Sequence, residues 1–167
     1  MSFPRRIYLV GLPGVGKSTV GKHLASELGL DFTDLDDRIE QSAGKKISQL
    51  FQEDGEIYFR AVEADELRNT ASDHGVIATG GGAPCFHDNM QWMKENGRVI
   101  FLNPPLDVVI QRTANAQHRP LIKDDAKATI LDLFEKRSPY YTQAHLESRK
   151  SESPEIVSEL RTLLKIV

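Results

Sequence analysis

The chain has 167 residues, enough for one domain of ordinary size. Hydrophobic residues make up 40% and charged residues 27%, which supports a packed core in water rather than a disordered chain. A formal net charge of −3 gives no basic surplus for nucleic acid, so any basic group that matters acts locally. One cysteine, Cys85, excludes an internal disulfide and a cysteine-built metal cage and fits a reducing, cytoplasmic setting. No apolar run approaches bilayer length, the first strand follows the N-terminus too closely for a signal peptide, and no repeat occurs.

Ile7-Tyr8-Leu9-Val10 predicts a short buried strand. It runs into Gly11-Leu12-Pro13-Gly14-Val15-Gly16-Lys17-Ser18, which fits the spacing G-x4-G-K-[ST]. Glycines there let backbone N–H groups wrap a polyphosphate, and the following helix aims its N-terminus at the same anion. Lys17 adds a positive charge at the outer phosphates, and the Ser18 hydroxyl suits Mg²⁺. Gly14, Val15, Gly16, Lys17, Ser18 and Thr19 are therefore the candidate nucleotide-binding residues. A plain strand-to-helix turn would leave Lys17-Ser18 unexplained.

Val20, Leu24 and Leu28 recur four apart, predicting a helix that stops at Gly29. A strand over Leu30 to Thr33 delivers Asp34, Asp36 and Asp37 at its end. Residues from Asp37 to about Ala71 lack a strand pattern. Ile39, Ile47, Leu50 and Phe51 suggest two short helices broken at Gly44, with Ser48 either capping the second or lying in its first turn. Gly55 interrupts again before a longer helix from Ile57 to Leu67 that carries Arg60 and Glu63. Val76-Ile77-Ala78 is the third strand, followed by Thr79-Gly80-Gly81-Gly82 and a helix with Met90, Trp92 and Met93, closed by Asn96-Gly97. Val99 to Leu102 is the fourth strand. Leu106 to about Ala114 is helical, with Val109 and Ile110 inward and Arg112 near its end. A polar stretch from Asn115 to Asp125 contains His118-Arg119-Pro120, and a loop of that length in a compact domain tends to be functional. Lys127 to Tyr141 returns to helix, with Ile130, Leu131 and Phe134 as its expected buried stripe. His145 to Ser148 is a weak fifth strand. Ser153 and Pro154 open a last helix buried through Ile156, Leu160, Leu163 and Leu164. Strands and helices alternate throughout, so the fold class is α/β with a parallel sheet and helices on both faces.

The ordered set GLPGVGKST (Gly11 to Thr19), DLD (Asp34 to Asp36), FRAVE (Phe59 to Glu63), GGG (Gly80 to Gly82), RPL (Arg119 to Leu121) and KRSPYY (Lys136 to Tyr141) resembles the shikimate kinases over almost the whole chain. The resemblance implies a P-loop NTPase-type three-layer α/β/α domain spanning 1–167. That domain would have a five-stranded parallel sheet, a helical substrate-binding insertion at about 34–71 and a mobile lid at about 113–126. It implies transfer of the ATP γ-phosphoryl group to the 3-hydroxyl of shikimate by a cytoplasmic monomer, with Mg²⁺ as cofactor, shikimate and ATP as ligands, and neither nucleic acid nor membrane as partner. By the same resemblance Ser18 and Asp34 serve the metal, and Asp36 contacts the acceptor hydroxyl as catalytic base. Arg60 and Arg137 clamp the substrate carboxylate, and Gly80, Gly81 and Gly82 touch the substrate. Lys17 and the lid residue Arg119 stabilise the transferred group, Arg112 stacks on adenine, and the region of Ser153 and Pro154 closes over it.

The residues also admit plainer readings. Asp34, Asp36 and above all Asp37 could be helix caps. Arg60 and Glu63, three apart, could be a surface ion pair, the glycine triplet a tight turn, and Arg112 a solvated side chain. Pro84 departs from the apolar residue often found after the triplet. The five histidines lack metal-ligand spacing. Gluconate and nucleoside monophosphate kinases share the phosphate loop and a lid but not this combination of DLD, FRxxE and GGG. A GTPase switch would need an N-K-x-D motif, which is absent from the sequence. A binding protein that has lost catalysis is set against the retention of Lys17, Asp34, Asp36 and Arg119.

Overall fold

A computed structural model describes residues 4–115 and 123–166. Five strands, β1 (Arg6–Val10), β2 (Asp31–Asp34), β3 (Gly75–Ala78), β4 (Arg98–Leu102) and β5 (Leu146–Ser148), form one sheet in the order β2-β3-β1-β4-β5. Every pairing is parallel. The central strands are buried along both faces, which is why β1, β3 and β4 are apolar runs without alternation.

Among the described residues seven α-helices complete the alternation: α1 (Lys17–Leu28), α2 (Leu35–Ala43), α3 (Ile47–Asn69), α4 (Asn89–Asn96), α5 (Leu106–Ala114), α6 (Lys123–Tyr141) and α7 (Ser153–Ile166). The α1 helix packs with α7 over one face of the sheet, where Gly21 of α1 lies against the Phe32 ring and Leu9. On the other face Tyr8 meets Trp92 of α4, ring centroids 6.1 Å apart, and Thr70 at the end of α3 through a 2.9 Å hydrogen bond. Successive β1 side chains thus enter opposite layers, and right-handed crossovers account for the placement. β1 and β3 are neighbours whose following helices leave to opposite faces. A crevice opens at their carboxyl ends, where ligands bind in open α/β sheets.

Most expected elements are present, with shifts that have local causes. β2 ends one residue later than expected because Asp34 still pairs with Ala78, and α2 starts at once behind it. The break at Gly44 is present. Ser48 lies within the first turn of α3, whose N-cap is Lys46, with its backbone N–H held by the Gln49 side chain at 3.1 Å. Gly55 interrupts α3 with φ 83° and ψ 170°, a backbone region open in practice only to glycine. The α6 helix departs from expectation in two ways: Leu131 is 43% exposed and Leu133 takes its place against the core with Ile130 and Phe134. The helix carrying them begins at Lys123, not Lys127. β5 is polar because it is a three-residue edge strand whose Ser148 hydroxyl bonds Glu159 of α7. The proposed lid centre, residues 116–122 with His118 and Arg119, lies outside the described residues.

Candidate active site

The phosphate loop, Asp34 and the glycine triplet each follow the carboxyl end of a strand, and helices bring the arginines to them. After β1 the phosphate loop turns through Gly14 (φ 85°) and Gly16 (φ 94°), and Gly16 is the N-cap of α1. No side chain among the described residues caps this helix, so its first N–H groups are left for an anion, and the helix dipole favours one there. Lys17 donates to the carbonyls of Gly11 (2.7 Å) and Leu12 (3.0 Å), which fixes its stem along the loop. Burial lowers its pKa to about 8, with the carboxylates of Asp36 and Asp34 opposing that shift.

After β2, Asp34 does two things. One carboxylate oxygen caps α2, accepting from the backbone of Asp36 (3.0 Å) and Asp37 (3.4 Å). The other accepts the Ser18 hydroxyl at 2.5 Å. Asp34 therefore caps α2 and bonds Ser18 at once, so the cap leaves its second oxygen facing the phosphate loop. Asp37 is not the cap; it is exposed in the first turn, where its charge suits the helix dipole. Asp36 points into the crevice, its carboxylate oxygen 3.0 Å from where a β-carbon on Gly80 would stand. Burial chiefly, and then the charge of Asp34, raises its pKa to about 6, and Lys17 partly offsets them.

After β3, the glycine triplet forms the floor between two arginines. A β-carbon built on Gly82 would lie 2.6 Å from Arg60 Nη2, and one on Gly81 would lie 2.8 Å from Arg137 Nη1 and 2.9 Å from Pro13 of the phosphate loop. Only glycine lets the guanidinium groups come so close to the chain. Arg60 is 8% exposed and Glu63 1%, joined at 2.9 Å, so this is a buried pair and not the surface ion pair that the spacing also allowed. Burial raises the Glu63 pKa, and the Arg60 charge opposes it. Glu56 reaches the same guanidinium at 3.4 Å. Arg137 Nη1 is buried without a hydrogen-bond partner among the described residues. An unpaired buried donor is costly, and an anionic ligand is the natural group to satisfy it.

A recess of about 350 Å³ lies between the phosphate loop, Asp34, Asp36, Thr79, Gly80 and Gly81. A second, of about 320 Å³, adjoins it through Gly14, Gly16 and Thr19 and is walled by Arg112 and Ser151 to Ser153. Arg112 is not a solvated side chain: it donates to the carbonyls of Ser151 (2.7 Å) and Val15 (3.3 Å), tying the α7 entry to the phosphate loop. Pro154 does not line this recess, whereas Ser153 does.

Sequence reasoning missed Tyr141 as part of the site. It is fully buried and donates its phenol to the Gly81 carbonyl at 2.5 Å, holding the triplet in place. Its position four residues after Arg137 on one helix was the available signal. Ser151 and Pro13 left no such trace, since only the folded chain brings them to their partners.

The recesses join a phosphate cradle and paired acids to a glycine floor that has two arginines packed against it, and comparison with known proteins agrees. The family model described as Shikimate kinase matches residues 13–165. The shikimate kinase of Persephonella marina is 48% identical over 159 residues, covering 93% of this chain and 96% of that protein. The crystal structure of the shikimate kinase from Bacteroides thetaiotaomicron superposes with a TM-score of 0.92 at 38% identity, covering 97% of this chain and 99% of that one. The Acinetobacter baumannii enzyme, solved in complex with shikimate, superposes with a TM-score of 0.87 at 35% identity, covering 96% of this chain and 92% of its own. Matched in sequence along nearly its whole length and in fold at high similarity, the chain belongs to the shikimate kinase family.

Proposed function

We propose a residue-level account of how this chain carries out the reaction of its family. That reaction is the ATP-dependent phosphorylation of shikimate at its 3-hydroxyl, giving shikimate 3-phosphate and ADP within aromatic amino acid biosynthesis. The carrying observation is the buried Nη1 of Arg137, which has no hydrogen-bond partner among the described residues, beside the glycine floor that Arg60 also packs against. A planar carboxylate on a small hydroxylated ring matches two guanidinium groups better than it matches ammonium groups. The clamp turns the acceptor hydroxyl toward Asp36. That side chain accepts the hydroxyl proton as the oxygen attacks the γ-phosphorus, and the bond to the ADP oxygen breaks. A pKa of about 6 leaves Asp36 ionised at neutral pH yet basic enough to share a proton in the transition state.

The phosphate loop, Gly14 to Thr19, holds the triphosphate through backbone N–H groups, and Lys17 offers its charge to the outer phosphates. Ser18 and Asp34 converge as hard oxygen donors beside that cradle, a set that fits Mg²⁺ completed by water and phosphate oxygens. When bound there, the ion would neutralise charge on the outer phosphates. The Arg112 recess is assigned to adenine. Arg119, from its motif alone, is assigned to the transferring phosphoryl group. We further propose that 1–167 acts as one domain with 34–71 as its acceptor-binding insertion and about 113–126 as its lid, working as a cytoplasmic monomer. No helix among the described residues is long and apolar enough to cross a membrane.

The test is a coupled ADP-release assay with shikimate, quinate, gluconate and nucleoside monophosphates as acceptors. Stimulation by shikimate well above the others is expected. Stimulation by another acceptor alone would make the substrate assignment wrong.

A further inference from the structure

The carboxylate clamp has a wall that the motifs do not account for. The Phe86 ring lies over the Arg60 guanidinium, 4.3 Å from ring centroid to the central carbon, and Phe59 lies 5.2 Å from it. Phe86 is 36% exposed, so core packing does not explain its place. The same guanidinium fills the space a β-carbon on Gly82 would need, so a single short turn, Gly82 to Phe86, lies against Arg60 at both ends.

The chain holds Phe86 there by an unusual backbone. The next two residues, His87 and Asp88, both adopt left-handed conformations, φ 51° and 55°, although neither is glycine. Consecutive left-handed non-glycine residues persist only where their surroundings impose them. Arg68 of α3 supplies the constraint, donating to the His87 carbonyl (2.8 Å) and to Asn89 Oδ1 (2.7 Å). Buried Asn89 in turn donates to the Ala83 carbonyl at 2.8 Å. The turn is thus pinned on both sides of Phe86.

A guanidinium can be held by its face or by its edge. Glu63 and Glu56 already take edge donors, and a further carboxylate there would compete with a substrate carboxylate and cancel the charge it needs. An aromatic face fixes the plane and leaves the charge and the remaining N–H groups available. We propose that Phe86 is a positioning residue for the acceptor carboxylate, acting through Arg60 by ring stacking. This inference rests on the clamp reading of Arg60.

The experiment measures shikimate Kd by calorimetry and steady-state kinetics for the wild type, Phe86→Leu, Phe86→Tyr, Arg60→Ala and the Arg60→Ala/Phe86→Leu double variant. Urea midpoints confirm that each is folded. Phe86→Leu keeps apolar bulk but loses the ring face, and it is expected to weaken shikimate binding about three- to tenfold, with kcat and the ATP KM within about twofold of wild type. Phe86→Tyr keeps wild-type affinity, and in the Arg60→Ala background the leucine substitution adds no further loss. Unchanged affinity in Phe86→Leu, equal weakening by tyrosine, or an undiminished loss in the double variant would each overturn the inference. If Arg60→Ala alone left shikimate affinity unchanged, the clamp itself would fall, and that result is distinguishable because it is read in a variant that retains Phe86.

Discussion

Replacing Asp36 by asparagine sets stability against catalysis. Its carboxyl titrates near 6 in the folded chain against an ordinary value of 3.8, chiefly because burial penalises the charge. That gap corresponds to about 3 kcal/mol against the folded state once the group is ionised in both states. The direction follows from proton uptake: between pH 4 and 6 the native chain binds the proton that the unfolded chain has lost, so rising pH erodes stability. Asparagine removes the titration but remains a polar group in a recess, so a gain of about 1–2 kcal/mol at pH 8 is expected, shrinking to near zero below pH 4. Urea unfolding of both proteins at a series of pH values, followed by the fluorescence of the single tryptophan Trp92, which packs against Tyr8, reads the difference. Turnover is expected to fall about 10²- to 10⁴-fold, with ATP affinity little changed. A variant no more stable than wild type at pH 8 would refute the frustrated-charge argument. Loss of ATP binding in step with turnover would make Asp36 a structural residue.

Further expectations concern the other charged groups. Arg137→Ala should weaken shikimate binding about 10- to 100-fold by removing a charged donor, leaving ATP affinity intact; an unchanged apparent affinity counts against the clamp. Lys17 titrates near 8 in the free chain, and a bound polyphosphate raises that value, so ATP binding should take up a proton as pH rises past 8. Calorimetry in buffers of different ionisation enthalpy measures this uptake, and none at pH 8.5 would contradict the assignment. Chelating divalent metal should abolish turnover and Mg²⁺ should restore it. In Ser18→Ala the Mg²⁺ concentration giving half-maximal rate should rise, and an unshifted titration would remove Ser18 from the metal site.

The parts of this molecule legible in the sequence are those whose cause is local. The phosphate loop is legible because its glycines, Lys17 and Ser18 must stand at fixed spacing between a strand and a helix. The breaks at Gly29, Gly44 and Gly55 are legible because each needs a backbone other residues resist. Leu131 and Leu133 cannot be ranked from the sequence, because both lie beside Ile130 and Phe134 on the helix and only the fold settles which meets the core. The two tasks of Asp34 show the same limit: cap and Ser18 partner are alternatives in a sequence but simultaneous in space, since a carboxylate has two oxygens. Contacts such as Tyr141 to Gly81 or Arg112 to Ser151 join residues 60 and 39 positions apart, and no periodicity announces them.

The central claim is that the recess positions the 3-hydroxyl of shikimate, and no other group, at Asp36. Proton–phosphorus correlation NMR of the product formed from shikimate and ATP tests it directly. The expected spectrum couples the new phosphorus to the ring proton on carbon 3; coupling to the proton on carbon 4 or 5, or no phosphorylated shikimate at all, would contradict the account.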